Sequence, residues 1–191
     1  MKRTLFALSL IFVLAGCGSS TSTATAVTCK EQYWDGTVGL CLPDGWKVMD
    51  AETLRSREVG EETIAAFQAT EASAGQFPVL TVTRELLAEP VDGVRYSDES
   101  IQKVKVGVQQ YKLIDMRKQK VDAQDATIHV FSGQTKTDSP ERRFWQMSLV
   151  NGDSGFTISA RSPLAANDTL QKQILLMFGT VTFKAPQAAA K

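Results

Sequence analysis

Only one histidine, His129, occurs in the 191-residue chain, so any Ser–His–Asp or Cys–His relay has to pass through it. It sits in an alternating apolar stretch on the same face as Thr127 and Phe131. No Gly-x-Ser-x-Gly elbow supplies a nucleophile for it, and it reads as an ordinary strand residue. Ser100-Ile101-Gln102-Lys103 offers a second chemistry. On a helix, this Ser-x-x-Lys spacing sets an ammonium one turn from a hydroxyl and can activate it for acyl transfer. The Ser-Asp-Asn and Lys-Thr-Gly companions of that mechanism are missing. Lys136-Thr137-Asp138 has an acid where a glycine must permit close backbone approach. Asp122 with Asp125, and Asp35 with Asp44, could serve as metal ligands or acid–base couples. Neither pair has a third ligand at a fixed offset, so both read as solvated loop acids. No glycine-rich loop follows a strand, which argues against a nucleotide cradle. The expectation is no catalytic residue, no metal site and no cofactor.

Aromatic side chains could instead build a contact surface. Trp46 and Trp145 lie where a sheet would bury them, whereas Tyr33-Trp34 falls between two cysteines in an expected loop. That pair is the candidate contact surface for a partner. Charge is balanced, with 21 basic and 21 acidic side chains. Arg117, Lys118 and Lys120 cluster along one segment, and Arg142-Arg143 is an isolated pair. A balance this close to neutral argues against nucleic acid as a partner.

The N-terminus explains the third cysteine. Lys2 and Arg3 precede an apolar run over residues 5–14 that ends in Leu14-Ala15-Gly16-Cys17. A basic start, a short apolar core and small residues before a cut make a secretory leader. The run is too short to span a bilayer, which takes about 20 apolar residues. Leu14-Ala15-Gly16-Cys17 resembles the lipobox of bacterial lipoproteins, in which the leader is cut before the cysteine and its thiol carries lipid. The resemblance implies lipidation of Cys17 and removal of residues 1–16. Residues 17–28 then form a Ser/Thr-rich tether, 29–184 a single domain, and 185–191 a loose tail. It also implies a membrane partner through the lipid and a place in the cell envelope. In an organism with two membranes, Gly18 rather than Asp after the cysteine leans toward the outer membrane, facing the periplasm. Cleavage removes Lys2 and Arg3, leaving 19 basic against 21 acidic side chains. With Cys17 lipidated, Cys29 and Cys41 are an even pair in an oxidising compartment, which favours a disulfide over two free thiols. Two thiolates without a nearby histidine do not make a zinc set.

Any site must be carried by the elements, and these are read from periodicity. Strands are expected over 37–42, 46–49, 63–70 and 79–84, where Leu80 and Val82 alternate with Thr81 and Thr83. Pro43-Asp44-Gly45 makes a turn between the first two. Ile101, Val104, Val108 and Tyr111 recur at helical steps, giving a helix over 97–110 with Ser97 as N-cap. Strands follow over 112–121 and 126–134, joined by a loop at 122–125. Two more, over 144–150 and 156–161, flank Asn151-Gly152-Asp153, a strong hairpin turn. A last helix is capped by Asn167 or Asp168, with Gln171 placed to reach back. It buries Leu170, Ile174, Met177 and Phe178, ends at Gly179, and leads into a strand over 181–183. The order predicts an α+β domain, an antiparallel sheet flanked by helices.

Val38-Gly39-Leu40-Cys41-Leu42-Pro43-Asp44-Gly45-Trp46 resembles the strand–Leu–Pro–x–Gly–Trp opening of the PsbP-like superfamily, which includes DcrB-like bacterial lipoproteins. The later hairpin, helix and closing strand fit the same order over residues 37–184. The resemblance implies an antiparallel sheet flanked by helices, and members that act mostly as protein-binding or accessory components. It brings no shared catalytic set, and Cys29 and Cys41 lie outside its pattern. The reading is a non-enzymatic, lipid-anchored protein that binds an unidentified envelope protein or other component. Its alternatives are a small-ligand or lipid carrier, which needs a deep apolar cavity, and a hydrolase, which needs a partnered His129 or an activated Ser100.

Overall fold

The computed structural model describes residues 26–56 and 60–186. Cys17, the leader, most of the tether and most of the tail lie outside these residues. Two strands, β1 (Cys29–Trp34) and β2 (Gly39–Pro43), form an antiparallel ribbon. The main sheet contains β3 (Trp46–Val48), β4 (Thr63–Ala69), β5 (Val79–Leu86), β6 (Gln109–Val121), β7 (Gln124–Gln134), β8 (Arg142–Asn151) and β9 (Ser154–Pro163). Its order is β3-β4-β5-β9-β8-β7-β6, antiparallel throughout. Three helices complete the domain: α1 (Ala51–Ser56), α2 (Gly93–Gly107) and α3 (Asp168–Gly179). The expected α+β architecture is therefore present.

Alternation sorts the two faces of the sheet. Phe67, Leu80, Val82, Trp145, Met147, Leu149, Phe156 and Ile158 form one face and are buried. They meet Ile174, Met177 and Phe178 of α3 and Leu40 and Leu42 of the ribbon in one core. The intervening residues of the sheet are polar near its centre: Thr81, Thr83, Gln146, Ser148, Thr157 and Ser159. Helix α2 covers this face with hydrogen bonds as well as apolar contacts. At its end, α1 places Leu54 against Met49, Ala66 and Val79. The Pro43-Asp44-Gly45 turn holds Gly45 at φ +79°, which glycine adopts at little cost. It delivers Trp46 to the core, where the indole N–H donates to Gln173 Oε1 at 3.2 Å.

Several boundaries differ from expectation. Asp92 is the N-cap of α2, accepting the Val94 and Arg95 N–H groups. Ser97 therefore lies inside the helix. The helix stops at Gly107, so Tyr111 belongs to β6, where it stacks on Phe131 at 5.0 Å. Strand β7 begins at Gln124, leaving a two-residue turn of Asp122 and Ala123, both at positive φ. Asn167 caps α3 through the Leu170 N–H, and Gln171 donates to the Ala166 carbonyl instead of Asp168. In place of a strand over 181–183 there is a single bridge, Gly39 to Thr182. Tyr33 and Trp34 end strand β1, not a loop. The Cys29–Cys41 disulfide fastens that strand to β2 with Cα atoms 5.5 Å apart, inside the range a disulfide spans without backbone movement.

Candidate functional site

The candidate acids and Ser100 are engaged in structural hydrogen bonds or ion pairs. Asp35 accepts the Thr37 and Val38 N–H groups at 2.7 and 2.8 Å, forming the turn between β1 and β2. Asp44 pairs with Lys30, and Asp125 with Lys120. Asp122 accepts the Thr182 hydroxyl at 2.8 Å and the Phe183 N–H at 2.6 Å. No group of three metal-ligating side chains forms among the described residues.

Ser100 faces the polar side of the sheet from α2. Its Oγ accepts from Gln146 Nε2 and Ser148 Oγ, both at 2.9 Å, and Ser148 also meets Thr157 Oγ1 at 3.1 Å. Tyr96, one turn earlier, donates to Glu85 Oε1 at 2.8 Å. Gly155 lies beneath the Tyr96 ring, where a Cβ would overlap it. Burial raises the Tyr96 phenol; the Thr157 hydroxyl opposes this and Glu85 adds to it, leaving it at about 12. Tyr96, Ser100, Gln146, Thr157 and Glu85 line a cleft of about 500 Å³ together with Lys103, Glu99 and Leu87. The Ser100 hydroxyl is thus tied to an amide and a second hydroxyl, with no histidine or carboxylate bonded to it. The arrangement fastens α2 to the sheet.

His129 is half-buried in a second groove of about 580 Å³, shared with Val94, Asp98, Met116, Lys118 and Ser148. Burial lowers its pKa, Lys105 lowers it further, and Asp98 acts in the opposite sense. It makes no side-chain hydrogen bond among the described residues. The groove runs between the start of α2 and the outer strand β6. Two exposed apolar side chains line it, Val94 at 65% and Met116 at 58% exposed, and Leu113 and Ile114 are exposed further along β6. Sequence reading missed these residues because a lone Val or Met on a predicted element is assigned inward by default. The strand order, which makes β6 an edge, is what exposes them.

The Tyr33–Trp34 end of β1 is half-buried. Tyr33 meets Phe67 edge-on at 4.9 Å, and burial raises its phenol pKa, with a smaller contribution from Asp35. Trp34 lies over Gly39, where a Cβ would sit 2.8 Å from the indole.

Comparisons with known proteins divide at the tether. Residues 1–17 match the model of the prokaryotic membrane lipoprotein lipid attachment site, which ends on Cys17. The domain matches solved structures by shape. LpqN of Mycobacterium tuberculosis, described as involved in cell envelope biogenesis, aligns at TM-score 0.62 and 12% identity, over 81% of this chain and 90% of that one. The cyanobacterial PsbP of Synechocystis sp. PCC 6803 aligns at 0.54 and 14%, over 90% and 99%. The chain is a membrane lipoprotein with a PsbP-like fold. This lipid-anchored envelope protein also shares its fold with the Ran-binding protein Mog1p of Saccharomyces cerevisiae, at TM-score 0.55 and 12% identity over 82% and 96%. No curated protein matches it by sequence. At these identities the shared property is the fold, and activity has to be argued from the site.

Proposed function

We propose that this lipoprotein is a non-enzymatic binding component of the envelope, held by lipid on Cys17, whose surface engages another protein. The observation that carries this reading is the group of exposed apolar side chains Val94, Leu113, Ile114 and Met116, at the start of α2 and along the edge strand β6, on a domain whose Ser100 is hydrogen-bonded to Gln146 and Ser148 rather than to a base. Exposed apolar patches with a polar surround mark interaction sites. Tyr33 and Trp34, half-exposed at the end of β1, form a second contact surface in this reading. The carrier alternative calls for an enclosed apolar chamber. The grooves described above lie at the surface, and the core beside them is filled by Met147, Ile158, Ile174, Met177 and Phe178. In a two-membrane organism, Gly18 directs the protein to the outer membrane, with the domain in the periplasm.

A photo-crosslinking residue at Leu113 or Trp34 in intact cells tests the reading. Specific protein adducts from either position support it, and their absence from both overturns it. Membrane fractionation of Cys17→Ser tests the anchor: release into the soluble fraction is expected, and retention overturns lipid attachment at that residue.

A further inference from the structure

Arg143 is partly buried near the start of β8, yet no acceptor meets its charged head. Its Nε–H is enclosed and has no hydrogen-bond partner among the described residues. The guanidinium lies over the Trp145 ring instead, with Cζ 6.0 Å from the centroid, a cation–π contact. Asp115 shares this face of the sheet, but its carboxylate is held by Arg117 at 2.8 Å. An enclosed donor without an acceptor costs free energy, more so on a charged group, and a bound ion is one of the partners that offsets the cost.

Register places further donors beside it. Residues directly opposite in antiparallel strands share a face. Arg143 pairs with Ser132 on β7 and with Ser162 on β9, and Ser132 pairs with Lys112 on β6. Lys112, Ser132, Arg143 and Ser162 therefore form a row across four strands, on the face that carries Trp145. Ser132 is 2% exposed, and its hydroxyl has no partner among the described residues. Ser162 is equally buried and donates to the Pro163 carbonyl at 2.9 Å. Lys112 is exposed and has no ion-pair partner among the described residues. An unpaired guanidinium, an unpaired buried hydroxyl and an unpaired ammonium thus stand on successive strands, about 4.8 Å apart.

We propose that this row binds a phosphate group, with Arg143 and Ser132 at its centre and Lys112 as its outer cation. The number of donors favours phosphate over carboxylate. The fork supplies two parallel N–H donors, the Ser132 hydroxyl a third and the Lys112 ammonium a fourth. A carboxylate offers two oxygens to them, a phosphate group three or four. Two positive charges also answer the charge of about −1.5 to −2 that a phosphate monoester carries at neutral pH. Either a soluble phosphate or a lipid headgroup presents this chemistry. Pairing of Arg142 with Pro163, Val79 with Arg161 and Trp46 with Ala69 sets the row at the end of the sheet where Cys29 meets Pro43. The 12 residue steps from Cys17 to Cys29 span at most about 40 Å. β8 lies four strands from β3, roughly 19 Å, so a headgroup of the anchoring membrane is within reach.

Nitrogen–proton NMR of the lipidated full-length protein in maltoside detergent, which contains no phosphate, tests this. Inorganic phosphate is expected to shift the Arg143 Nε–H and Trp145 indole resonances saturably, while sodium chloride at matched ionic strength leaves them in place. Ser132→Ala is expected to weaken binding about tenfold. Arg143→Lys, which keeps the charge and loses the fork, is expected to weaken it by about tenfold or more. Lys112→Gln, at an exposed position, is expected to weaken it about threefold and keeps the test open if either buried variant fails to fold. The same shifts without added phosphate, on transfer to nanodiscs of phosphatidylglycerol and diminished in Ser132→Ala, support the site with a lipid headgroup as its ligand. No shift in either setting, shifts that chloride reproduces, or equal affinities in the wild type and the variants each overturn the proposal.

Discussion

Replacing Asp122 by alanine should cost about 3–4 kcal/mol of stability, although the residue occupies a two-residue turn. Its carboxylate accepts the Thr182 hydroxyl at 2.8 Å and the Phe183 N–H at 2.6 Å. Hydrogen bonds to a charged group contribute about 1.5–3 kcal/mol each when well shielded. Asp122 is half-buried, so the lower figure applies, and the two together contribute about 3 kcal/mol. The backbone stands at φ +53°, a region Asp and Asn tolerate and alanine resists by about 1 kcal/mol. Asp122→Asn keeps the backbone preference and one acceptor, so its loss should be about half as large, roughly 1.5–2 kcal/mol. Urea unfolding followed by circular dichroism measures both variants, with the m-value unchanged. The alanine variant should also melt about 6–16 °C lower for a domain of this size. The loss propagates through Phe183, which packs on Phe156 at 4.8 Å, so exchange at the Thr182 amide should accelerate first. A loss within about 0.5 kcal/mol for Asp122→Ala, the range of an ordinary surface change, refutes the clasp. Equal losses for the two variants refute the backbone part of the reasoning.

Ala123, at φ +118°, should accept glycine with a gain of about 0.5–1 kcal/mol by thermal melting. Cys29→Ser/Cys41→Ser should lower stability by about 3 kcal/mol, the entropy of opening so short a loop, and a melting point unchanged from the oxidised protein would contradict this. Gly155→Ala should displace the Tyr96 ring and cost about 1–3 kcal/mol, read by urea unfolding and a shifted Tyr96 resonance. Tyr96 has a folded pKa of about 12 against 10 unfolded. Its contribution is therefore complete below pH 10 and is lost as pH rises toward 12. Tyr96→Phe should flatten the fall in stability over that window relative to wild type, by on the order of 2 kcal/mol.

Sequence patterns disclosed elements whose period or punctuation was local. The alternation of Leu80 and Val82 with Thr81 and Thr83, the Asn151-Gly152-Asp153 turn and the Leu170–Phe178 stripe each became a strand, a hairpin and a helix. Errors arose where a distant partner decided the outcome. Tyr111 continues the spacing of Ile101, Val104 and Val108, yet the chain reverses at Val108 because Tyr111 stacks on Phe131, 20 positions away. Tyr33 and Trp34 look like loop residues until the disulfide lays β1 on β2. The candidate site was the least legible part. Ile114 and Met116 are exposed because β6 is last in the sheet, and strand order is a property of the assembled domain rather than of any segment.

Seen as a mechanical part, the disulfide sets how the domain carries load. A pull from the membrane enters the described fold at Cys29 and crosses at once, through sulfur, to Cys41 in β2. The rest of β1 is thereby bypassed, so stretching the tether does not peel that strand or disturb Tyr33 and Trp34. Force passes instead into a buried strand, whose Cys41 N–H is bonded to Thr180 Oγ1 at 2.9 Å and whose Gly39 is bridged to Thr182. Tension is delivered to the middle of the core, and through Thr182, whose hydroxyl donates to Asp122, it reaches the turn between β6 and β7.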